Sequence, residues 1–433
     1  MTESDPHHQN FPSLRSPSQA ITHRLVAMTG RDPAEPHRVS TPLELLFDLT
    51  FVVTFGVAAA QLSHMLSAGH VGAGLIAFIY ATFATCLAWI NFTWFASAYD
   101  TDDWAFRLMT MVQMVGVLIL ALGLPDFFSS IEEGHRVDNA VLVMGYVVMR
   151  IALVGQWLRA SRQDPARRAA TLTYVMVILI AQAGWIGTVF LSTSVPVTLG
   201  IWTALAIFEL SGPWLAERRG GATPWHPHHI AERYGLMAII ALGEGVVGTV
   251  ATISAMVSDH GWSVDAALLA LSGTLLTFGM WWMYFTLPAA DVLHARRERA
   301  FWFGYGHMPV YGAIVATGSG LHTAAYYLQH HSVLGEVGTV LAVAIPVLLF
   351  MVLIFGLYGS LMRSVDLLHV AMIVGTALVL VGAVALAMGG VPMAPCLLVV
   401  SLAPMVGVLG FELFAHRHVS ADLAATSKGQ DSA

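Results

Sequence analysis

The chain has 433 residues, of which 56% are apolar and only 11% are charged, and its mean hydropathy is +0.69. A water-soluble domain of this size could not cover its surface with so few polar residues, whereas helices that face lipid need no polar surface. The composition therefore excludes a soluble globular protein and predicts a chain that is mostly embedded in a bilayer. The net charge of −7 gives no support for nucleic-acid binding, because the acidic and basic residues are divided between the two sides of the membrane.

Residues 1–39 precede the first apolar segment and are rich in Pro, Ser and His. They lack the apolar core of a signal peptide, so we predict a disordered cytoplasmic tail that is not cleaved. Residues 419–433 are predicted to form a second cytoplasmic tail.

Twelve apolar segments are long enough to cross a bilayer, since a membrane-spanning helix needs about 20 residues. In chain order they are 44–64, 71–97, 105–125, 139–160, 169–191, 195–216, 229–257, 264–288, 300–322, 334–359, 366–388 and 391–415. The predicted fold is an all-α polytopic membrane protein. Four prolines within spans are expected to interrupt helices, namely Pro288, Pro309, Pro346 and Pro404.

The basic residues support this division of the chain. Seventeen of the twenty fall on one side of the membrane when the chain is threaded through the twelve spans. Arg136 lies in an opposite loop, and Arg150 and Arg233 lie inside spans. Because short cytoplasmic loops carry an excess of Lys and Arg, we predict that both termini are cytoplasmic.

The two halves of the chain resemble each other in sequence. The matching segments are 89–93 (WINFT) with 282–286 (WMYFT), 113–114 (QM) with 307–308 (HM), and 208–210 (FEL) with 411–413 (FEL). We predict two parallel six-helix repeats, 40–218 and 219–418, because an even number of helices gives both copies the same orientation. A shared site would lie between them. The alternative is that hydrophobic helices resemble one another by composition.

Ionisable side chains inside the spans are the main chemical signal, since a charge at the bilayer centre costs at least about 2.5 kcal/mol. Glu44 and Asp48 are four residues apart and therefore lie on one face of a helix. A bound cation or a proton would relieve their mutual repulsion. The segment Thr41-Pro42-Leu43-Glu44 also has the form of a capping box, so a structural bond from Glu44 to the Thr41 amide is the alternative.

Glu244 is the best single functional candidate. It lies deep in the seventh span within the segment Leu242-Gly-Glu-Gly245, where glycines let another backbone approach closely. A carboxyl group that only bonds a neighbouring helix is the structural alternative.

Arg150 lies too deep in the fourth span to snorkel to the surface and therefore requires an anion. Glu209, Glu244 and Asp48 are the available partners. A purely structural ion pair is equally compatible with the sequence.

Histidines add two further candidates. His307 could relay protons because histidine titrates near neutral pH, and a neutral hydrogen-bonded histidine is the alternative. At the start of the seventh span, His229, Glu232 and Arg233 place polar groups at the membrane boundary. Histidine and glutamate are zinc ligands, but the spacing here fits no zinc pattern. We predict no metal and no cofactor.

Two stretches of the chain closely resemble signature stretches of the bacterial low temperature requirement A family. They are PLELLFDLTFVV at 42–53 and HIAERYGLMAIIALGE at 229–244, and the resemblance extends from about residue 40 to about residue 417. In that family the first stretch often reads ELFFD and the second often has serine after Gly-Glu, whereas this chain has Leu46 and Gly245. The resemblance implies a multi-pass protein of the bacterial cell membrane with a link to growth in the cold, and it implies no substrate or reaction.

Two main classes of function remain open. The first is a secondary carrier for a small solute or ion, in which the halves rock around a midplane cavity. Its predicted lining is Glu244, Arg150, Asp48 and Glu209. The second is a membrane-embedded enzyme that modifies lipid, although no nucleophile with a base and no metal spacing is recognisable. Its headgroup would meet Glu44, Asp48, Glu232, Arg233 and His229. A structural or sensory membrane protein is a further alternative, and the sequence leaves the oligomeric state open.

Overall fold

The computed structural model describes residues 25–33, 35, 38–219, 221–362 and 367–415. Within these ranges the chain forms helices joined by short loops, and no strand occurs. Eleven helical segments of the described chain are long and apolar enough to cross a membrane. The protein is therefore an all-α, multi-pass membrane protein, as predicted. Residues 1–24 and the tail predicted at 419–433 lie outside the described residues.

The helices are α1 (Pro42–Ser67), α2 (Val71–Tyr99), α3 (Trp104–Glu133), α4 (Ala140–Gln163), α5 (Arg168–Phe190), α6 (Val195–Arg219), α7 (Pro227–His260), α8 (Val264–Phe285), α9 (Ala289–Ala295), α10 (Ala300–Leu328), α11 (Glu336–Met362), α12 (Leu367–Met388), α13 (Met393–Ser401) and α14 (Ala403–Gly410). A π-helical turn, Phe411–Ala415, follows α14. Two of the eleven spans combine neighbouring helices, α8 with α9 and α13 with α14.

Proline interrupts the predicted spans at two of the four expected positions. Pro288 precedes α9 as its N-cap residue, and Pro404 lies in the first turn of α14 after a break at Leu402. Pro309 and Pro346 lie inside the continuous helices α10 and α11. Proline removes one backbone hydrogen bond, and packing against neighbouring helices allows a membrane helix to continue past it.

Helix α10 differs from the other predicted spans. Its 29 residues are long enough to cross a membrane, but it is not among the eleven segments that are also sufficiently apolar. Helix α10 packs against α7, α11, α1 and α2, and most of its side chains are buried. A helix that is surrounded by protein needs no apolar outer face, which explains why small and polar residues are tolerated there.

The outer surface of the bundle is apolar. Large side chains such as Leu122, Ile151 and Leu378 are exposed, as expected for residues that face lipid. Inside the bundle, α1 contacts both α7 and α10. Among the buried charges, Glu44 and Asp48 lie on α1, and Arg233 and Glu244 lie on α7. The relationship between the two predicted repeats stays a prediction.

Residues 25–33, which were predicted as part of a disordered tail, pack against the ends of the helices. Met28 is buried, and its backbone N–H donates a hydrogen bond of 2.6 Å to the side-chain oxygen of Gln163 on α4. The backbone N–H of Arg31 bonds the carbonyl oxygen of Ala98 at 3.0 Å. Disorder was predicted here from amino-acid composition alone. Composition does not reveal hydrogen bonds between residues that are far apart in the chain.

Candidate functional site

Charged side chains from α1, α7 and the ends of neighbouring segments form a buried charge cluster. Its members are Arg38, Glu44, Asp48, Asp100, His229 and Arg233. All six are buried. The cluster joins the two stretches that carry the family resemblance, because Glu44 and Asp48 come from the first and His229 and Arg233 from the second.

Glu44 forms the capping box considered for it and also takes part in ion pairs. Its side chain and that of Thr41 form the predicted capping box, with Thr41 N–H donating to Glu44 Oε2 at 2.8 Å. The same carboxylate lies 3.0 Å from Nη1 of Arg233 and 3.1 Å from Nε2 of His229. Glu44 therefore fixes the start of α1 and also ties α1 to α7.

Asp48, one turn further along α1, is held by two donors. Trp89 Nε1 on α2 donates to Asp48 Oδ1 at 2.6 Å, and Arg233 Nε donates to Asp48 Oδ2 at 3.0 Å. Arg233 has no exposed surface. The predicted repulsion between Asp48 and Glu44 is thus relieved by a guanidinium that lies between the two carboxylates.

Sequence reasoning did not identify Arg38 and Asp100 as parts of this cluster. Arg38 Nη2 lies 3.6 Å from Glu44 Oε1 and 3.9 Å from Asp100 Oδ2. Burial lowers the pKa of Arg38, and the neighbouring Glu44 carboxylate opposes this shift. Burial and the same carboxylate raise the pKa of Asp100 to about 7. The capping box was the available signal, since it places the residues just before Thr41 against the end of the bundle.

Glu232 lies outside the cluster core. Its side chain is exposed at the first turns of α7, and its Oε2 accepts a hydrogen bond of 3.2 Å from the Ser40 N–H. Of the residues predicted at the start of the seventh span, His229 and Arg233 thus belong to the buried cluster. Glu232 instead accepts a hydrogen bond from the segment that leads into α1.

Arg150 pairs with Glu209, one of its three predicted partners. The Arg150 guanidinium bonds Glu209 Oε1 and the Tyr146 hydroxyl, and the Tyr146 hydroxyl donates to the same Glu209 oxygen at 2.8 Å. Trp185 Nε1 on α5 donates to the other carboxylate oxygen at 3.2 Å. This ion pair joins α4, α5 and α6. Its carboxylate and guanidinium are both nearly fully buried.

Glu244 lies near the middle of α7 and is 5% exposed. Among the described residues, its carboxyl group forms no hydrogen bond and no ion pair. A Cβ placed on Gly56 of α1 would lie 3.2 Å from Glu244 Oε1, and one placed on Gly318 of α10 would lie 2.6 Å from the Glu244 carbonyl carbon. Glycines of α1 and α10 therefore allow both helices to approach Glu244 closely. Of the two glycines that flank it in the sequence, a Cβ on Gly243 would meet no atom within 4 Å, and one on Gly245 would lie 2.6 Å from the Thr277 hydroxyl oxygen on α8.

His307 on α10 is fully buried and hydrogen-bonded at both ring nitrogens. Nδ1 lies 2.6 Å from the carbonyl oxygen of Phe303, and Nε2 lies 3.0 Å from the hydroxyl of Tyr284. Since the carbonyl can only accept, Nδ1 donates and Nε2 is free to accept from the tyrosine. The geometry fits a neutral imidazole, the alternative to a proton relay.

The predicted site residues are distributed over separate sites. Arg150 pairs with Glu209, Asp48 pairs with Arg233, and Glu244 and His307 have surroundings of their own. None of them lines the cavity of about 210 Å³ that opens between the two halves of the chain. The lining of this cavity was not predicted, because it comes from five α-helices, the loop before α7 and the segment between α9 and α10.

A family model described as bacterial low temperature requirement A protein (LtrA) matches residues 39–404. An uncharacterized protein of Rhizobium meliloti (strain 1021) is 28% identical over 294 residues, which are 64% of this chain and 67% of that protein. No solved structure matches the chain. Because the family model covers well over half of the chain, this protein belongs to the bacterial low temperature requirement A family.

Proposed function

We propose that this protein is a secondary carrier for a small solute or ion, in which Glu244 binds and releases a proton or another small cation. The observation that supports this proposal most directly is the environment of Glu244. It is buried near the middle of a membrane span and has no hydrogen-bonding or charged partner among the described residues. A carboxylate in such a place is costly unless a proton or cation neutralises it.

The other buried charges have structural partners that Glu244 lacks. Asp48 and Glu44 are balanced by Arg233, and Glu209 is balanced by Arg150. Breaking such a pair is expensive, so these carboxylates are poorly suited to repeated gain and loss of a cation. We therefore propose Glu244 alone as the ion-binding residue. The two ion-pair sites, around Arg233 and Arg150, are proposed to hold the helices together.

The helix contacts around Glu244 support the proposal that α10 moves relative to α7. Gly318 on α10 lies against the Glu244 backbone, and a Cβ on Gly248 would lie 2.7 Å from the Gly318 carbonyl oxygen. Small residues at such a crossing let the two backbones approach closely, and small sliding movements between packed helices are a known mode of domain motion. Neutralising Glu244 would then change the charge at the contact of α1, α7 and α10, which a carrier needs for coupling.

The lipid-modifying enzyme is not proposed further, because Glu44, Asp48, His229 and Arg233 are buried and bonded to one another. A headgroup would have to break these ion pairs to reach them.

Proton-coupled uptake into liposomes tests the proposal. Purified protein is reconstituted with a pH-sensitive dye inside, and a panel of amino acids, organic acids, organic cations and metal ions is added outside. We expect at least one solute to cause proton movement in the unaltered protein and Glu244→Gln to abolish it. Glu133→Gln, at an exposed carboxylate near the end of α3, is the matched control. Proton-coupled uptake that persists unchanged in Glu244→Gln would refute the assigned role.

A further inference from the structure

A cavity of about 210 Å³ between the two halves of the chain has no role in the proposed function. It lies beside the C-terminal ends of α4 and α6 and the N-terminal ends of α5 and α10, near the arginine-rich loops. Its aromatic lining consists of Trp94, Trp157, Tyr174, Trp225, Phe301 and Tyr305. Pockets for drug-sized ligands measure about 300–1,000 Å³, so this aromatic cavity fits a smaller ligand.

Pairs of aromatic rings form the cavity walls. Trp157 and Tyr174 are stacked with ring centroids 4.2 Å apart, and Trp94 meets Trp225 edge to face at 5.0 Å. Packed rings of this kind present rigid π surfaces. Such surfaces attract organic cations, quaternary ammonium groups above all.

Glu217 supplies a fixed negative charge in the aromatic cavity. Its carboxylate accepts hydrogen bonds from the Tyr174 hydroxyl at 2.9 Å, the Thr223 hydroxyl at 2.7 Å and the Thr223 N–H at 2.8 Å. A carboxylate accepts about four hydrogen bonds. Three donors therefore hold the group in place without neutralising its charge.

Arg297 supplies a fixed positive charge in the same cavity. Its guanidinium lies 3.9 Å from the Trp225 ring centroid, and Nη2 donates to the Trp225 carbonyl oxygen at 2.8 Å. Burial lowers the pKa of Arg297, and the Glu217 charge opposes this shift. The two side chains line one cavity and influence each other, yet among the described residues they form no ion pair within 4 Å.

From this arrangement we infer that the aromatic cavity binds a small zwitterion whose alkylammonium group meets Glu217 and the aromatic faces and whose acidic group meets Arg297. A molecule with both charges would bridge the gap between Glu217 and Arg297 and satisfy each of them. A free solute such as a betaine and a zwitterionic lipid headgroup share this chemistry. The inference does not depend on the proposed role of Glu244, since Glu244 does not line the aromatic cavity.

Ligand binding to the purified full-length protein in dodecyl maltoside tests the inference. The probes are glycine betaine for a free solute, phosphocholine for a headgroup, and tetramethylammonium for a cation without an acid. Tryptophan fluorescence reports binding, because three tryptophans line the cavity. We expect saturable binding of at least one zwitterion and weaker binding of tetramethylammonium. Binding of glycine betaine alone would identify a free solute, and binding of phosphocholine alone would identify a headgroup.

Four variants test whether zwitterion binding depends on charges in the aromatic cavity or on charges elsewhere on the protein. Glu217→Gln and Arg297→Gln should each weaken zwitterion binding about tenfold or more, as expected for loss of a charged contact. Arg218→Gln removes a guanidinium stacked on Trp214 at 3.9 Å outside the cavity lining, and Glu133→Gln removes an exposed carboxylate. Both controls should leave the affinity unchanged.

Three results would overturn the inference: no saturable binding of either zwitterion, unchanged affinity in both cavity variants, or equally tight binding of tetramethylammonium. Thermal melting shows whether each variant is folded. If Glu217→Gln is not folded, Arg297→Gln decides the question, because the Arg297 side chain is exposed and its described contacts are the hydrogen bond and the ring contact with Trp225.

Discussion

Asp48 on α1 and Arg233 on α7 lie 185 residues apart in the chain, and their side chains are joined by hydrogen bonds from both Nε and Nη2 of the guanidinium. The two residues come from the two stretches that resemble the family signatures. Their pairing gives these stretches a shared physical purpose, which is to bring α1 and α7 together around buried charges. Glu244, three turns further along α7, is positioned by the same contact between the two helices.

Removing one partner of this pair should destabilise the protein strongly. Arg233→Gln leaves Asp48 and Glu44 buried without a counter-charge, and the expected loss of unfolding free energy is about 3–5 kcal/mol. Asp48→Asn combined with Arg233→Gln should cost less than the two single changes added together. The exposed pair Arg107 and Asp102 is the control, since breaking it should cost under about 1 kcal/mol. Thermal or denaturant unfolding in detergent measures these differences, and additive single effects would contradict the pairing.

Glu209 and Glu244 should respond in opposite ways to neutralisation. Glu209→Gln leaves Arg150 buried and unpaired, so a loss of about 3–5 kcal/mol is expected. Glu244→Gln breaks no bond among the described residues and removes a buried carboxylate, so the stability should be unchanged or increased. Comparison of the two melting temperatures in one detergent provides the measurement. A large destabilisation by Glu244→Gln would show that its carboxyl group serves the packing of the helices.

The close crossing of α7 and α10 should not tolerate a methyl group. In Gly318→Ala the new Cβ would lie 2.6 Å from the Glu244 carbonyl carbon and 2.7 Å from its oxygen, and backbone atoms cannot move aside easily. Overpacking of this kind costs about 1–3 kcal/mol. In Gly356→Ala on α11 the new Cβ would meet no atom within 4 Å, and the change should be neutral or slightly stabilising. Equal melting temperatures for the two variants would argue against the crossing.

Asp100 should make stability depend on pH. Burial and the Glu44 carboxylate raise its pKa from the ordinary value of 3.8 to about 7 in the folded protein. Because the folded state holds the proton more tightly than the unfolded state, this group stabilises the fold at low pH, and the stabilisation is lost as the pH rises through about 7. Asp100→Asn should therefore remove part of the decline in melting temperature between about pH 4 and about pH 7.

Asp103 is the matched control for that experiment. Burial raises its pKa, but hydrogen bonds, the first of them from Arg159, outweigh this effect and bring the pKa to about 2. Asp103 is thus almost fully charged in both states between about pH 5 and about pH 7, which is most of the range in which Asp100 titrates. Asp103→Asn should lower stability by a nearly constant amount there. If Asp100→Asn shows the same pH profile as the unaltered protein, Asp100 does not titrate as proposed.

Local sequence patterns predicted the helices and the start of α1 well. Spans were readable because lipid-facing helices require about 20 apolar residues, and the Thr41 to Glu44 capping box is a bond between residues three apart. The segment predicted as the span 300–322 is a helix, α10, but it is not among the eleven described segments that are apolar enough to cross a membrane, and it packs among other helices. Pro404 follows a helix break at Leu402, whereas Pro309 and Pro346 lie inside continuous helices, so proline alone did not predict where a helix ends.

Partners of the buried charges were harder to predict. The depth of Arg150 showed that it needs an anion, yet the choice of Glu209 over Glu244 and Asp48 depends on how α4 and α6 both pack against α5. The aromatic cavity left no local signal, because residues such as Trp94, Tyr174 and Arg297 are far apart in the chain. A single sequence specifies which groups need partners, whereas helix packing decides which partners they find.

Carbodiimide labelling of Glu244 tests most directly whether it takes up a proton within the membrane. Dicyclohexylcarbodiimide reacts with protonated carboxyl groups in apolar surroundings, and mass spectrometry of the peptides identifies the labelled residue. Between about pH 5 and about pH 9, we predict labelling at Glu244 that decreases as the pH rises, with no labelling of the ion-paired Glu209. The absence of label on Glu244 throughout this range, or labelling of Glu209 to the same extent, would contradict the proposed proton site.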